Sequence, residues 1–159
     1  MKNINKLINC IPALIWMVII FMFSAQPAQE SNELSVGFTR VLIETLGRLL
    51  PFNIETSTIS DFVVQLNHFV RKFAHFTVYL VLGTLVSRAL IKNKFKGDIF
   101  LVSFLICTIY AATDELHQLF VPGRGCQLKD VFIDSSGAFV GILFYRIFRE
   151  IKKNIKKYV

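Results

Sequence analysis

The sequence contains few of the residues and motifs that cofactor enzymes and disulfide-rich proteins need. Its three cysteines, Cys10, Cys107 and Cys126, share no metal-binding or redox spacing, and their odd number argues against a disulfide framework. The chain has no glycine-rich nucleotide loop, no haem or iron–sulfur spacing and no serine-centred nucleophile motif. These absences leave a divalent metal ion as the one cofactor that the sequence allows.

Apolar residues are what the chain has in excess. Hydrophobic residues make up 53% of the 159 residues, and Phe alone contributes 16. A soluble protein of this length cannot easily hide so much apolar surface, whereas lipid accommodates it. The length fits one domain over residues 1–159, and no internal repeat divides it. The composition therefore predicts a single-domain membrane protein.

Four segments approach the roughly 20 apolar residues that cross a bilayer as a helix. They lie at about residues 7–24, 69–91, 99–114 and 131–148. The first follows Lys2 and Lys6 as in a signal peptide, but no clear small-x-small cleavage site follows it, so we interpret it as a retained signal anchor. The predicted fold class is all-α, an integral membrane bundle of about four transmembrane helices.

The distribution of charge orients these spans. Twelve of the 18 basic residues lie at the N-terminus, between the second and third spans, or at the C-terminus, with only Asp98 and Glu150 as acids. The other six share the opposite side with nine acids. Lys and Arg concentrate in cytoplasmic loops, so both termini are predicted to be cytoplasmic. Because basic residues follow the ends of apolar segments, we expect no nucleic-acid partner despite the net charge of +7.

The first outer loop, about residues 26–67, is too long to lack structure of its own. Apolar residues recur in it at helical spacing, at Leu34, Phe38, Val41, Leu42, Leu46 and Leu49. This pattern predicts an amphipathic helix on the membrane surface or against the bundle, ended by Pro51. A further helix is predicted to start near Thr58, where Thr58-x-x-Asp61 resembles a capping box, and to continue into the second span.

Ionisable residues at membrane depth are costly, so each one is a functional candidate. At the start of the second span, one helical stripe contains His68, Lys72, His75 and Tyr79, with Arg71 beside it. His75 alone would be compatible with a packing role. In one stripe with two cations and a tyrosine, a binding role is favoured.

The third span ends in an acidic and histidine-containing block. Asp114 and His117 share a helix face at a spacing that suits metal ligation or mutual orientation, while Glu115 is expected to point elsewhere. Two ligands do not make a site, so a metal would need help from another helix. The alternative is a capped and solvated helix end.

The third polar cluster precedes and enters the fourth span. A Pro-Gly-Arg-Gly turn around Arg124 offers backbone amides that suit an anion. Asp130 is placed to cap the fourth helix, whereas Asp134 lies one turn deeper in an apolar helix. Gly137 and Gly141 share a face with both acids and allow close helix packing, so this face is predicted to look into the bundle, towards the other two clusters.

Together the three clusters suit the phosphorylated headgroup of a lipid at the outer face of the membrane. The candidates for substrate binding are Arg71, Lys72, Tyr79, Gln118, Arg124 and Asp130. The catalytic candidates, which suit proton transfer, are His75, Asp114, His117 and Asp134, and the last three of these are also the candidate ligands of a divalent metal. A structural ion-pair network that locks the helices together would leave the same pattern.

Five blocks of polar residues and glycines run along most of the chain from Phe23 to Gly141. They are Phe23-Ser24-Ala25-Gln26, Arg71-Lys72-Phe73-Ala74-His75-Phe76 with Tyr79 and Gly83, Thr113-Asp114-Glu115-Leu116-His117-Gln118, Val121-Pro122-Gly123-Arg124, and Lys129-Asp130-Val131 with Asp134, Gly137 and Gly141. In content and order these blocks resemble the VanZ-like family. Cys126 departs from that pattern, where a small residue such as Gly or Ser is expected.

The resemblance implies a bacterial cell-envelope protein of the cytoplasmic membrane, in a family named after a protein linked to resistance to teicoplanin, a glycopeptide antibiotic. It also implies an action on phosphate-containing lipid headgroups, with a membrane lipid or lipid-linked cell-wall precursor as the partner. Two functional hypotheses stay open, beside the structural one in which the charges only lock the helices together. One is a hydrolase or transferase that acts on a phosphate-linked lipid headgroup. The other is a non-catalytic protein that binds an anionic lipid, a cell-wall precursor or a glycopeptide.

Overall fold

We describe the fold from a computed structural model, which covers the backbone of residues 2–49 and 56–158. Side chains are described for residues 4–45, 63 and 66–156. These residues form five α-helices and no strand. The helices are α1 (Lys2–Ser24), α2 (Ala28–Leu49), α3 (Thr56–Lys92), α4 (Ile99–Gln118) and α5 (Leu128–Tyr158). The predicted all-α fold is confirmed.

Four of the helices contain apolar stretches long enough to cross a membrane. These stretches are Ile4–Ser24, Leu66–Lys92, Ile99–Gln118 and Leu128–Lys156. The four predicted spans lie within them, and the third is one turn longer than predicted because the polar block after Thr113 continues α4. Large apolar side chains are exposed along α1, α4 and α5, which is the surface that lipid covers. The chain is therefore a multi-pass membrane protein.

The central helix is α3, which packs against the other four helices and most extensively against α5. Three glycines, Gly83 of α3 and Gly137 and Gly141 of α5, lie where these two helices cross. A Cβ atom at Gly137 or Gly141 would overlap the carbonyl oxygen of Phe76 or Leu80, respectively. Glycine thus permits the backbones to touch, and the predicted packing of the Gly137 and Gly141 face against the bundle is confirmed.

Half-buried polar side chains tie α1 to the rest of the bundle. Trp16 Nε1 donates a hydrogen bond to the carbonyl oxygen of Val78 in α3 at 2.9 Å. The Tyr110 hydroxyl of α4 donates to the carbonyl oxygen of Met17 at 2.6 Å. Such bonds satisfy groups that would be costly to leave unpaired in lipid.

One end of the bundle carries residues 25–27, between α1 and α2, and residues 119–127, between α4 and α5. The two connections touch, since the Ala28 amide donates to the carbonyl oxygen of Pro122 at 3.1 Å. The next residue, Gly123, has a φ of 73°, a left-handed conformation that favours glycine. We call this the cavity end, because the large cavity of the molecule opens there.

The opposite end carries residues 93–98, between α3 and α4, together with both termini. The Asn93 side-chain amide donates to the carbonyl oxygen of Lys6 near the start of α1 at 3.1 Å. Arg146 and Arg149 of α5 border the same small pocket as Gly97. The start of α1 and the C-terminal part of α5 therefore lie on the same side of the bundle.

The predicted amphipathic helix is α2. Its Thr39 and Ile43 are buried, whereas Leu34, Phe38 and Val41 are exposed. The face that docks is thus largely different from the apolar stripe seen in the sequence, which remains open to lipid or to a ligand. The helix predicted to start near Thr58 is α3, which begins at Thr56 and continues into the second span. The predicted helix end at Pro51 and the side chains of Leu46, Leu49, Thr58 and Asp61 lie outside the described residues.

A polar network explains which face of α2 docks on α3. The Asn67 amide of α3 donates to Asn32 Oδ1 at 3.0 Å, and its Oδ1 accepts a hydrogen bond from the Ser35 hydroxyl. Thr39 Oγ1 lies 3.4 Å from the same oxygen. Asn67 is buried, so these bonds satisfy a group that would otherwise be costly to desolvate.

Candidate functional site

A cavity of about 880 Å³ lies between α1, α2 and α3 at the cavity end. This volume falls in the range of roughly 300–1,000 Å³ that is usual for small-molecule sites. Its walls are mainly apolar and include Ile20, Phe23, Leu34, Phe38, Leu42, Leu66, Phe69, Val70, Phe73 and Val78. Its polar groups include Ser24, Arg71, His75, Tyr79, Asp114 and Arg124. The cavity therefore combines a hydrocarbon-like wall with a cluster of ionisable groups.

Helix periodicity explains the contribution of α3. Arg71, His75 and Tyr79 are four residues apart, which puts them on one face of the helix, and all three line the cavity. The exposed His68 and the half-buried Lys72 do not line it. The predicted stripe is thus divided, because Arg71 joins the cavity and Lys72 turns towards α5.

Asp114 of α4 lies at the inner side of the cavity and is only 4% exposed. It lies near Ser24, the last residue of α1, and interacts electrostatically with His75. Within the described part of the chain, Asp114 Oδ1 and the hydroxyls of Ser24 and Tyr79 have no hydrogen-bond partner. Buried polar groups are normally paired, so these three are placed to receive polar groups of a ligand.

Two contacts between α3 and α5 lie beside the cavity. His75 Nδ1 is 3.6 Å from Oδ1 of the fully buried Asp134, and Lys72 is ion-paired with Asp130 about one turn away. The close approach of α5 to α3 brings Asp134 next to His75, as the sequence predicted. His75 is therefore the residue that joins the buried acid of α5 to the cavity.

Arg124 enters the cavity from the connection between α4 and α5. Its guanidinium Nη2 donates to the carbonyl oxygen of Phe23 at 3.4 Å. Burial lowers the pKa of the Arg124 guanidinium, and the positive charge of Arg71 lowers it further. Arginine stays protonated even so, and two guanidinium groups close together create a positive potential that attracts an anion.

Besides Lys72, Asp130 and Asp134, two more predicted candidates, His117 and Gln118, do not line the cavity. The His117 ring packs on Phe21 of α1, with ring centroids 4.4 Å apart, and Gln118 is buried in α4 without lining the cavity. Among the residues that the structure describes, no group of three or more His, Cys, Asp or Glu side chains is arranged to hold a metal ion. Asp114, His117 and Asp134 therefore do not form a three-ligand metal site.

Glu115 and Ser24 belong to the polar cluster but were not among the predicted site residues. Glu115 is fully buried, and its Oε2 accepts a hydrogen bond from the Gln127 amide at 2.9 Å. It does point away from the face of Asp114, but into the bundle rather than out of it. The sequence held a signal, because Ser103, Cys107 and Ala111 precede Glu115 at intervals of four and small residues mark a packed helix face. For Ser24 the signal was a hydroxyl in the last turn of an apolar span.

Comparison with known proteins gives one finding. A model of the family described as VanZ/LLP1 matches residues 10–149, a range that includes every candidate site residue. No curated protein and no solved structure gives a significant match. The resemblance read from the residue blocks is confirmed.

Proposed function

The chain belongs to the VanZ/LLP1 family, and we propose that it acts on a phosphate-containing lipid headgroup at the outer face of the membrane. The observation that carries this proposal is the cavity between α1, α2 and α3. Its apolar walls suit the hydrocarbon part of a lipid, and its cations suit the charge of a phosphate.

Arg71 and Arg124 are the residues that hold the phosphate in this proposal. Both line the cavity, and their guanidinium groups can form paired hydrogen bonds to phosphate oxygens. Lys72, a third candidate by sequence, is neutralised by Asp130 on the α5 side. We therefore assign Lys72 and Asp130 a supporting role, in which they hold α5 beside α3 and keep Asp134 near His75.

His75 is the proposed base or nucleophile at the phosphate-linked bond. Asp134 lies at its Nδ1, which leaves Nε2 as the nitrogen available to a bound headgroup. A carboxylate in that position orients the imidazole and stabilises its protonated form. Asp114 and the Tyr79 hydroxyl, which lack partners among the described residues, are assigned to the leaving group or to the attacking hydroxyl. The reaction class is hydrolysis or transfer of a headgroup.

The outer location of the site rests on the charges of the two ends. The segments of the opposite end carry 12 of the 18 basic residues, including Lys92, Lys94 and Lys96, whereas the segments on the cavity side carry the other six together with nine of the 11 acids. The positive-inside rule then puts the termini in the cytoplasm and the cavity end outside. Lipid headgroups of the outer leaflet lie at this level.

The test is a mass-spectrometric profile of membrane lipids, including polyprenyl-linked precursors. Cells express the native chain or the variants His75→Ala, Asp114→Asn or His68→Ala at matched membrane levels. We expect one headgroup class to change with the native chain and with His68→Ala, since His68 is exposed and does not line the cavity. The same class should stay at the empty-vector level with His75→Ala and Asp114→Asn. Identical profiles in all strains, at equal abundance, would contradict catalysis.

A non-catalytic role is the second candidate. The apolar walls and the two arginines of the cavity need no reacting group to hold a ligand, so the same cavity fits a protein that holds an anionic lipid, cell-wall precursor or glycopeptide without turnover. Such a protein forms a stoichiometric complex with its ligand and releases no product. Retention of one lipid class by the purified native chain, with an unchanged lipid profile in cells, supports this second function.

A further inference from the structure

The headgroup chemistry uses only the polar part of the cavity. The rest is a groove between α1, α2 and α3, about which the proposed reaction says nothing. Leu34 and Phe38 of α2 form one side of it, and Phe69 and Phe73 of α3 form the other. All four side chains are more than half exposed, so the groove opens along the side of the bundle.

The groove offers few polar groups to a ligand. Ser35 donates its hydroxyl hydrogen to Asn67, and Thr77 donates to the carbonyl oxygen of Phe73 at 2.8 Å, so both are satisfied within the protein. A protein segment or a sugar chain would bring amides or hydroxyls that need partners. A hydrocarbon chain needs none. The wall chemistry therefore favours a hydrocarbon chain as the occupant.

The charge at one end of the groove indicates which chemical group the hydrocarbon chain carries. Arg71 and Arg124 lie at the polar end, and Arg71 follows Phe69 by less than one helical turn. A lipid with its phosphate at the two arginines can therefore continue directly into the groove. The two arginines and the apolar groove are therefore complementary to an amphiphile with an anionic head and a long apolar chain.

We infer that the groove binds one hydrocarbon chain of the lipid whose phosphate lies at Arg71 and Arg124, an inference that rests on the proposed function. A chain gains little free energy by moving from lipid to an apolar groove, because both surroundings are apolar. The groove instead aligns the headgroup with His75, so that remote contacts position the reacting group.

The experiment uses the purified full chain in detergent with one equivalent of phosphatidylglycerol that carries a diazirine in the middle of one acyl chain. After illumination, mass spectrometry locates the labelled residues. We expect label on Leu34, Phe38, Phe69 and Phe73, well above the label on the exposed Phe144 and Ile147 of α5. Label spread equally over all exposed apolar side chains would overturn the inference, whatever the variants do.

Variants separate the chain site from the headgroup site. Ala74→Trp fills the groove, because Ala74 lines it, and should lower the groove label roughly tenfold. Val140→Trp on α5 adds the same bulk at an exposed position outside the groove and should leave the label unchanged. An unchanged label with Ala74→Trp, in a chain that folds as the native one does, contradicts the groove as the binding site.

A second probe keeps the two proposals distinguishable. Diacylglycerol with the same diazirine chain lacks the phosphate, so its groove label should be weaker than that of phosphatidylglycerol, and Arg71→Ala should abolish the difference. If both probes label the groove equally in the native chain, the phosphate assignment of the proposed function fails while the chain site stands. If phosphatidylglycerol is retained through Arg71 but labels no groove residue, the chain site fails alone.

Discussion

At the residue scale, three acids at the cavity end, Glu115, Asp130 and Asp134, have different environments. Glu115 accepts a hydrogen bond from the Gln127 amide, and Asp130 is paired with Lys72. Asp134 has only the more distant His75 beside it, and neither of its oxygens has a hydrogen-bond partner in the described ranges. A carboxylate that only accepts a backbone hydrogen bond can be replaced by an amide without loss of function. A carboxylate that stabilises a protonated imidazole cannot, because the amide carries no negative charge.

Matched amide substitutions test this distinction. In Glu115→Gln, the new carbonyl oxygen can still accept the Gln127 amide hydrogen, so we expect native membrane abundance and native activity. In Asp134→Asn, the abundance should also be native, but the lipid product should fall by about a hundredfold or more, because His75 loses the charge that supports proton transfer. Lipid profiling at equal expression measures both effects. An equal loss in both variants, or none in either, contradicts the assigned roles.

At the scale of elements, the decisive contact is the one between α3 and α5. The Phe76 and Leu80 carbonyl oxygens of α3 lie where a side chain on Gly137 or Gly141 would have to be. The close approach of the two helix backbones sets the distance from His75 to Asp134, since both residues lie within a turn of the crossing. Packing of small residues and the geometry of the site are therefore one property of this helix pair.

Adding a single methyl group tests that contact. Gly137→Ala puts a Cβ into the backbone of α3, so we expect a loss of about 1–3 kcal/mol in the free energy of unfolding. Gly37→Ala is the matched control, because no atom lies within 4 Å of its Cβ position and α2 gains a better helix former there. Unfolding of the purified proteins in detergent gives both values. Equal stability of the two variants would mean that the helices are not in backbone contact.

At the scale of the whole molecule, the two ends of the bundle differ in their charge and in the cavities they carry. The opposite end gathers both termini and most of the basic charge, and its small pocket is bordered by Arg146 and Arg149. The cavity end carries the groove and the ionisable groups that line the cavity, which are Arg71, His75, Tyr79, Asp114 and Arg124. If the basic end is cytoplasmic, the proposed lipid substrate belongs to the outer leaflet.

Native cysteines allow this orientation to be measured. Cys126 lies partly exposed at the cavity end, whereas Cys107 is buried. A membrane-impermeant maleimide should label intact cells that express the native chain, and Cys126→Ser should abolish most of the label. In the Cys126→Ser background, Asn154→Cys at the exposed C-terminal part of α5 should react only after permeabilisation. The reverse pattern would place the cavity in the cytoplasm.

Some of this site was predictable from the sequence. His75, Asp114 and Asp134 stand out because ionisable residues in apolar helices are costly, and Gly137 and Gly141 showed which face of α5 looks inward. Glu115 was not predicted as a site residue, because Asp114 and His117 share a different face of α4 and the sequence does not show that the face of Glu115 is also buried. Lys72 was grouped with Arg71 because sequence spacing cannot show that α5 would offer it Asp130 as a partner.

The sequence by itself determined the four apolar spans and the family, since a run of apolar residues and a set of motifs are properties of the chain alone. Only the tertiary structure decided that Arg71 and Arg124 share a cavity, that Asp134 meets His75, and that α2 leaves its apolar stripe open beside α3. These features depend on how far each helix is rotated about its axis and how closely it approaches its neighbours. Contacts between residues distant in sequence set both quantities, and no local pattern contains them.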